Sequence, residues 1–262
     1  MDQTYWFRQG DKPLFPELEW SRPETKLQAG KLLIVGGNSH GFAAPAESFG
    51  AAEKAGVGTI YVLMPDSLRN SVGKLFPEAE FAPSTPGGSF AANALAELLD
   101  SGRRVDGVLL SGDISRNSET TILLESFMKK HDGQVTLTKD VADLFCQQPL
   151  SILHRPQTLL VIAMGQLRRL GIEARFQRAF TSEMGIVQLA DVLHDFTELY
   201  PLNVVTRHQN QFIVAANGMI STTKAAEDKP VWRMQAAATT SVWWLQNPRK
   251  TFEALTAAVS SL

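Results

Sequence analysis

Cysteine is almost missing from this chain of 262 residues: Cys146 stands alone, so no intramolecular disulfide can form. That usage suits a reducing compartment, and a single thiol cannot build a zinc site. His40, His131, His154, His194 and His208 have no close ligand spacing, so no metal site is expected. No apolar run approaches the ~20 residues of a membrane span, and no membrane partner is expected. Met1–Gly10 carries Asp2 and Arg8 and lacks an apolar core, so no signal peptide is expected and the expected location is cytoplasmic. Neither charge sign dominates, with 25 basic against 27 acidic residues and a net charge of -2. A global basic field is absent, which argues against nucleic acid as a partner. No Gly-x-Ser-x-Gly elbow occurs, which argues against a hydrolase triad.

Met1–Gly30 holds Tyr5, Trp6, Phe7, Phe15 and Trp20 among Pro13, Pro16 and Pro23. The prolines favour an extended arm over a helix, and the aromatics require cover from the domain or a second subunit. Residues 1–29 are therefore set apart from a single domain over 30–262. From Lys31 the pattern alternates. Strands are expected at Leu32–Val35, Thr59–Met64, Val105–Leu110, Gln134–Leu137 and Leu159–Met164. Helices are expected at Ala43–Ala55, Ser89–Ser101, Ser118–His131 and Thr181–Leu199. A hairpin, Asn203–Thr206 with Phe212–Ala215, precedes two helices, Met234–Leu245 and Thr251–Leu262. Continuous apolar strands alternating with helices predict an α/β fold with a mostly parallel sheet covered on both faces.

The sharpest local signal is Lys31–Phe42, an apolar run broken by Gly36-Gly37-Asn38-Ser39-His40-Gly41 just before a helix. Such a corner can turn backbone N–H groups toward an anion. Phe42 and Ala43 stand where a P-loop needs Lys and Ser/Thr, and adjacent Gly36 and Gly37 break the dinucleotide fingerprint. The corner is either a ligand cradle lined by Asn38, Ser39 and His40 or a tight turn that needs positive φ. Asp113 and Asp140 each follow a strand, where they either face the same pocket or serve as turn residues.

Several segments, taken in order, resemble the ADP/ATP-dependent NAD(P)H-hydrate dehydratases, a carbohydrate-kinase-like branch of the ribokinase superfamily. They are Gly30–Ser39, Ala55–Pro65, Asp106–Asp113, Leu137–Asp140, Leu160–Gln166 and Val204–Arg207. The resemblance implies a three-layer αβα ribokinase-like fold without a lid domain, and often a homo-oligomer. The corner's placement makes Gly36, Gly37, Asn38, Ser39, His40 and Gly41 substrate-site candidates, and the resemblance adds Asp113, Asp140, Gly165 and Gln166. Arg207, Thr239, Thr240 and Ser241 are nucleotide-site candidates, with ADP or ATP and Mg2+ as the implied cofactors. One departure is large. The family's Gly-Gly-Thr-Gly-Asp turn, which holds phosphate oxygens and supplies the catalytic base, is replaced by Ala236-Ala-Ala-Thr-Thr-Ser-Val-Trp243-Trp244. Ser241 is far too weakly basic to replace an aspartate. The expected hydroxyls at a helix start either contact a ligand or merely cap the helix. Three roles therefore stand: a divergent binder of an adenine nucleotide or phosphorylated metabolite, an active dehydratase or small-metabolite kinase, and a structural homo-oligomer.

Overall fold

The computed structural model describes residues 4–74, 76–77, 79–225 and 232–262. Ten strands form one sheet in the order β1-β10-β9-β8-β7-β6-β5-β2-β3-β4. These are β1 (Trp6–Arg8), β2 (Lys31–Gly36), β3 (Thr59–Pro65), β4 (Ala79–Ala82), β5 (Gly107–Gly112), β6 (Gln134–Thr138), β7 (Thr158–Ile162), β8 (Asn203–His208), β9 (Gln211–Ala216) and β10 (Met219–Lys224). Only β9 runs against its neighbours; the other described pairings are parallel.

Strand side chains alternate between two cores, as the period of a pleated strand demands. Leu33, Val35, Leu110, Leu137, Leu160 and Ile162 face one core, with Phe127, Phe145, Leu167 and Phe196 from α5 (Ser118–Lys130), α6 (Lys139–Gln147), α7 (Met164–Glu173) and α8 (Ile186–Leu199). Leu32, Ile34, Leu109, Leu159 and Val161 face the other. They meet Ala52, Val72, Ala238 and Leu255 from α2 (Ala43–Lys54), α3 (Arg69–Val72), α9 (Arg233–Gln246) and α10 (Thr251–Ser260). Helix α4 (Leu95–Arg103) adds Leu98 to the first core, and α1 (Pro16–Trp20) lies beside α10. The layers are helix, sheet, helix, and every described strand belongs to the one sheet.

Several local expectations need correction. The strand expected over Leu159–Met164 stops at Ile162, and Met164 opens α7, which was not foreseen. The helix expected from Ser89 is a 3-10 turn at Ala92–Ala94 followed by α4, and the one expected from Thr181 starts at Ile186 after Gly185. The N-terminal segment is not wholly extended. Pro16 sits in the first turn of α1, where a missing N–H costs nothing, and β1 extends the sheet beside β10. Its aromatics pack on the domain: Tyr5 stacks on His194 at 3.7 Å, and Phe7 and Phe15 meet Phe252 at 5.5 and 6.0 Å. Trp20 is the exception, at 84% exposed.

Candidate functional site

Parallel strands deliver their C-terminal ends to one edge of the sheet, where ligands of open α/β sheets sit. The loops after β2, β5, β6 and β7 meet there, as does the start of α9. They bring together Asn38, Asp113, Lys139, Asp140, Gln166 and Arg233 in one hydrogen-bonded network.

The glycine corner is a closed turn. Gly37 has φ +92 and donates its N–H to Gly112 O at 3.0 Å. Asn38 and Gly41 exchange backbone bonds of 2.9 and 3.0 Å around Ser39 and His40. Asn38 is buried; its Nδ2 donates to Asp113 O at 2.5 Å and its Oδ1 accepts His40 N at 2.7 Å. Ser39 Oγ donates to Gly87 O at 3.1 Å. Gly36 packs against β5, since a Cβ there would meet Gly112 O at 2.4 Å. At the start of α2 the Ala44 N–H donates to Asp113 Oδ2 at 2.7 Å. An internal carboxylate thus sits at the helix N-terminus where an external anion could bind.

Asp113 itself has φ 57 and pairs through Oδ1 with Lys139 Nζ at 2.9 Å. Asp140 accepts the N–H groups of Asp113 and Ile114, each at 2.9 Å. Burial pushes the Asp140 carboxyl above its ordinary range; the Ile114 amide opposes the shift and the nearby Asp113 charge adds to it. Both aspartates therefore lie side by side, as the sequence allows, with their oxygens already engaged by the protein.

Gln166, in the first turn of α7, joins this pair to α9. Its Nε2 donates to Lys139 O at 2.7 Å and Asp143 Oδ1 at 2.8 Å. Its Oε1 accepts Ala163 N at 3.0 Å and Arg233 Nη1 at 3.1 Å. Gly165 beside it is exposed, with nothing within 4 Å of where a Cβ would stand. Arg207, at the end of β8, donates to Asn210 Oδ1 at 2.8 Å and lies 5.9 Å from the Phe212 ring centre.

The expectation of Thr239, Thr240 and Ser241 at a helix start needs correction. Helix α9 begins at Arg233 and runs unbroken to Gln246, so all three lie in its interior. Their amides are turned into the helix ladder. Thr240 Oγ1 donates to Ala236 O at 2.6 Å, and Ser241 Oγ bonds Ala237 O at 2.7 Å and Thr136 Oγ1 at 2.8 Å. With alanine where the resemblance implies glycine, nothing interrupts the helix. Arg233 and Lys139 were not singled out by the sequence, because an isolated basic residue carries no spacing signal.

The described donor set does not fit a protein-held Mg2+. Among the described residues no group of three or more His, Cys, Asp or Glu side chains converges, and the oxygens of Asp113 and Asp140 already accept protein donors.

A crystal structure of a ribokinase-like superfamily protein from Enterococcus faecalis superimposes with TM-score 0.74 at 14% identity, covering 99% of this chain and 87% of that one. The fold is ribokinase-like. The ribokinase-like neighbours include the ADP/ATP-dependent NAD(P)H-hydrate dehydratase of Bacillus subtilis, co-crystallised with ATP/Mg2+ (TM-score 0.66, 13% identity, 96% and 87% coverage). They also include the phosphomethylpyrimidine kinase of Clostridium difficile (TM-score 0.55, 9% identity, 87% and 96% coverage). A curated relative, the bifunctional NAD(P)H-hydrate repair enzyme Nnr of Dictyoglomus turgidum, is 22% identical over 188 residues, 71% of this chain. Those residues span 35% of that protein's length. No protein-family profile matches the ribokinase-like chain. Among its described residues no helix is long and apolar enough to cross a membrane.

Proposed function

We propose that this ribokinase-like chain binds an adenine nucleotide or another phosphorylated metabolite at the carboxyl edge of its sheet without transferring a phosphoryl group. One observation carries the reading: α9 runs unbroken from Arg233 with no carboxylate in its first three turns. Removing a general base typically costs about 10²–10⁴-fold in rate. Asp113 and Asp140 are held by backbone amides and Lys139, which makes them poor substitutes.

Retained binding is supported by the start of α9 itself. Arg233 brings a guanidinium and a helix N-terminus to Gln166, beside the exposed Gly165 in the first turn of α7. Two helix N-termini and a cation favour an anion over a neutral guest. The neighbour co-crystallised with ATP/Mg2+ supports an adenine nucleotide as the first ligand to try. Any Mg2+ would arrive with the nucleotide, because the described residues of the edge supply no cage for it.

Incubation with NADH hydrate and ADP or ATP should restore no reduced-cofactor absorbance, even at high protein concentration. Thermal unfolding with the same nucleotides should show stabilisation of ~2.7 kcal/mol at 100 times Kd. Arg233→Ala should remove that response. Turnover would install the active dehydratase instead, and no response to any nucleotide would leave a structural role.

A further inference from the structure

Beyond the sheet edge, α2 and α9 lie side by side on one face of the molecule and enclose an open groove of about 790 Å3. Both helices start at the carboxyl edge, so the groove runs down their length, away from Gln166. Its wall comes from Gly50 and Lys54 of α2 and from Thr239 and Trp243 of α9, with Arg22 at the lower end.

Three features of this groove suit it to a guest. Gly50 lies inside α2, where glycine costs about 1 kcal/mol relative to alanine. Packing does not demand it, because a Cβ at Gly50 would meet nothing within 4 Å. The glycine keeps the groove open. Thr239 and Trp243 are 7% and 3% exposed as residues, and among the described residues neither the Thr239 hydroxyl nor the Trp243 indole N–H has a hydrogen-bond partner. Neither atom is among the fully enclosed polar groups that lack a partner, so both open toward the groove and can reach a guest there. Finally, Arg22 lies 4.8 Å from the Trp243 ring centre, and Lys54 stands exposed on the rim. Against these two cations the side-chain lining offers one carboxylate, Glu47; Arg22 also donates to the Ala55 carbonyl, which leaves Lys54 as the cation on the rim.

We infer that the α2–α9 groove is a second binding site, for a small organic anion. Its charged group is taken by Lys54, Arg22, the Trp243 indole N–H and the Thr239 hydroxyl, and its apolar body lies over Gly50 and Ala51. The site is separate from the edge proposed above: it uses no residue of the Asp113–Gln166–Arg233 network.

The test follows the indole N–H resonance of Trp243 by NMR, assigned with Trp243→Phe among five tryptophans. Benzoate and phenyl phosphate are titrated at millimolar concentration against benzyl alcohol and inorganic phosphate. The expected result is a saturable shift with one or both organic anions, the tighter one naming the charged group, and little response to the two controls. Lys54→Ala should weaken binding about 10-fold, as loss of a charge-assisted bond does, and Thr239→Val less. Gly50→Leu fills the groove in a better helix former, so it should abolish the shift while keeping or raising thermal stability. Arg233→Ala should leave the shift intact, which keeps the outcome distinct from that of the edge site. An unmoved indole resonance with both organic anions overturns the inference. So does an equal response to benzyl alcohol, a full response to inorganic phosphate alone, or undiminished binding in Gly50→Leu.

Discussion

Asp113 Oδ2 accepts the backbone N–H of Ala44 at 2.7 Å, across 69 residues of sequence. The carboxylate thereby caps α2 from a different loop and holds the β2 and β5 ends together. Asp113→Ala should lose that cap and leave Lys139 without its ion-pair partner. A cost of about 1–2 kcal/mol is expected in urea unfolding. Asp113→Asn, which tolerates positive φ and can still accept from Ala44, should lose less. The vacated helix end should also respond to phosphate: a rise in thermal stability with added phosphate is expected in Asp113→Ala and a smaller one in the parent. Equal phosphate responses would contradict the capping role.

Asp140 should keep its proton to higher pH than an ordinary aspartate, because burial raises its carboxyl. A group bound more tightly to its proton in the fold costs stability as pH rises through the unfolded and then the folded value, and the cost is constant above that. Carboxyl-carbon NMR titration reads this directly. A midpoint at or below the ordinary aspartate value would refute it. Asp140→Asn should still be destabilising by about 1–3 kcal/mol, since an amide offers one oxygen to the two N–H groups of Asp113 and Ile114.

Restoring a carboxylate at Ser241 should not restore catalysis. Ser241 is 4% exposed and faces Thr136 of β6 rather than the sheet's carboxyl edge. Ser241→Asp would bury a charge without a cationic partner, and lowered yield or thermal stability is the expected result. Ser241→Ala is the milder probe. It strips the hydroxyl bond to Thr136 and should cost about 1 kcal/mol in urea unfolding.

His131 gives the fold a acid-side sensitivity. Burial against Phe127, helped by the Arg155 charge, lowers its imidazole from 6.5 to about 4. Between those values the unfolded chain takes up a proton that the folded one refuses, so stability should fall as pH drops through that window. His131→Phe keeps a ring beside Phe127 and removes the titration. Its urea midpoint should vary less between pH 6.5 and 4 than the parent's; identical slopes would assign the acid sensitivity elsewhere.

Part of the site was legible and part was not, for a local reason in each case. The glycine corner could be read because Gly36-Gly37 interrupts an apolar run. Asp113 and Asp140 could be paired because each follows a strand, and adjacent parallel strands deliver their ends together. The helix expected over Met234–Leu245 lies within one residue of α9 at each end, but what its first turn touches could not be read. Its interior is buried nearly all round, from Ala236 to Leu245, so no polar face marks which side meets the sheet. Arg233 and its bond to Gln166 were therefore invisible, as was the Thr239 side of the groove.

The alternation of apolar strands and helices fixed the layered α/β architecture, because burial on both faces of a parallel sheet demands continuous apolar strands. Composition likewise determined that no disulfide and no cysteine-rich metal site could contribute. Tertiary structure alone decided what occupies the corner and the helix ends. Whether an aspartate greets a ligand or caps its own helix depends on which loops meet in space. Contacts of that kind, such as Asp113 with Ala44 or Gln166 with Arg233, span 69 and 67 residues and leave no periodic trace in the chain.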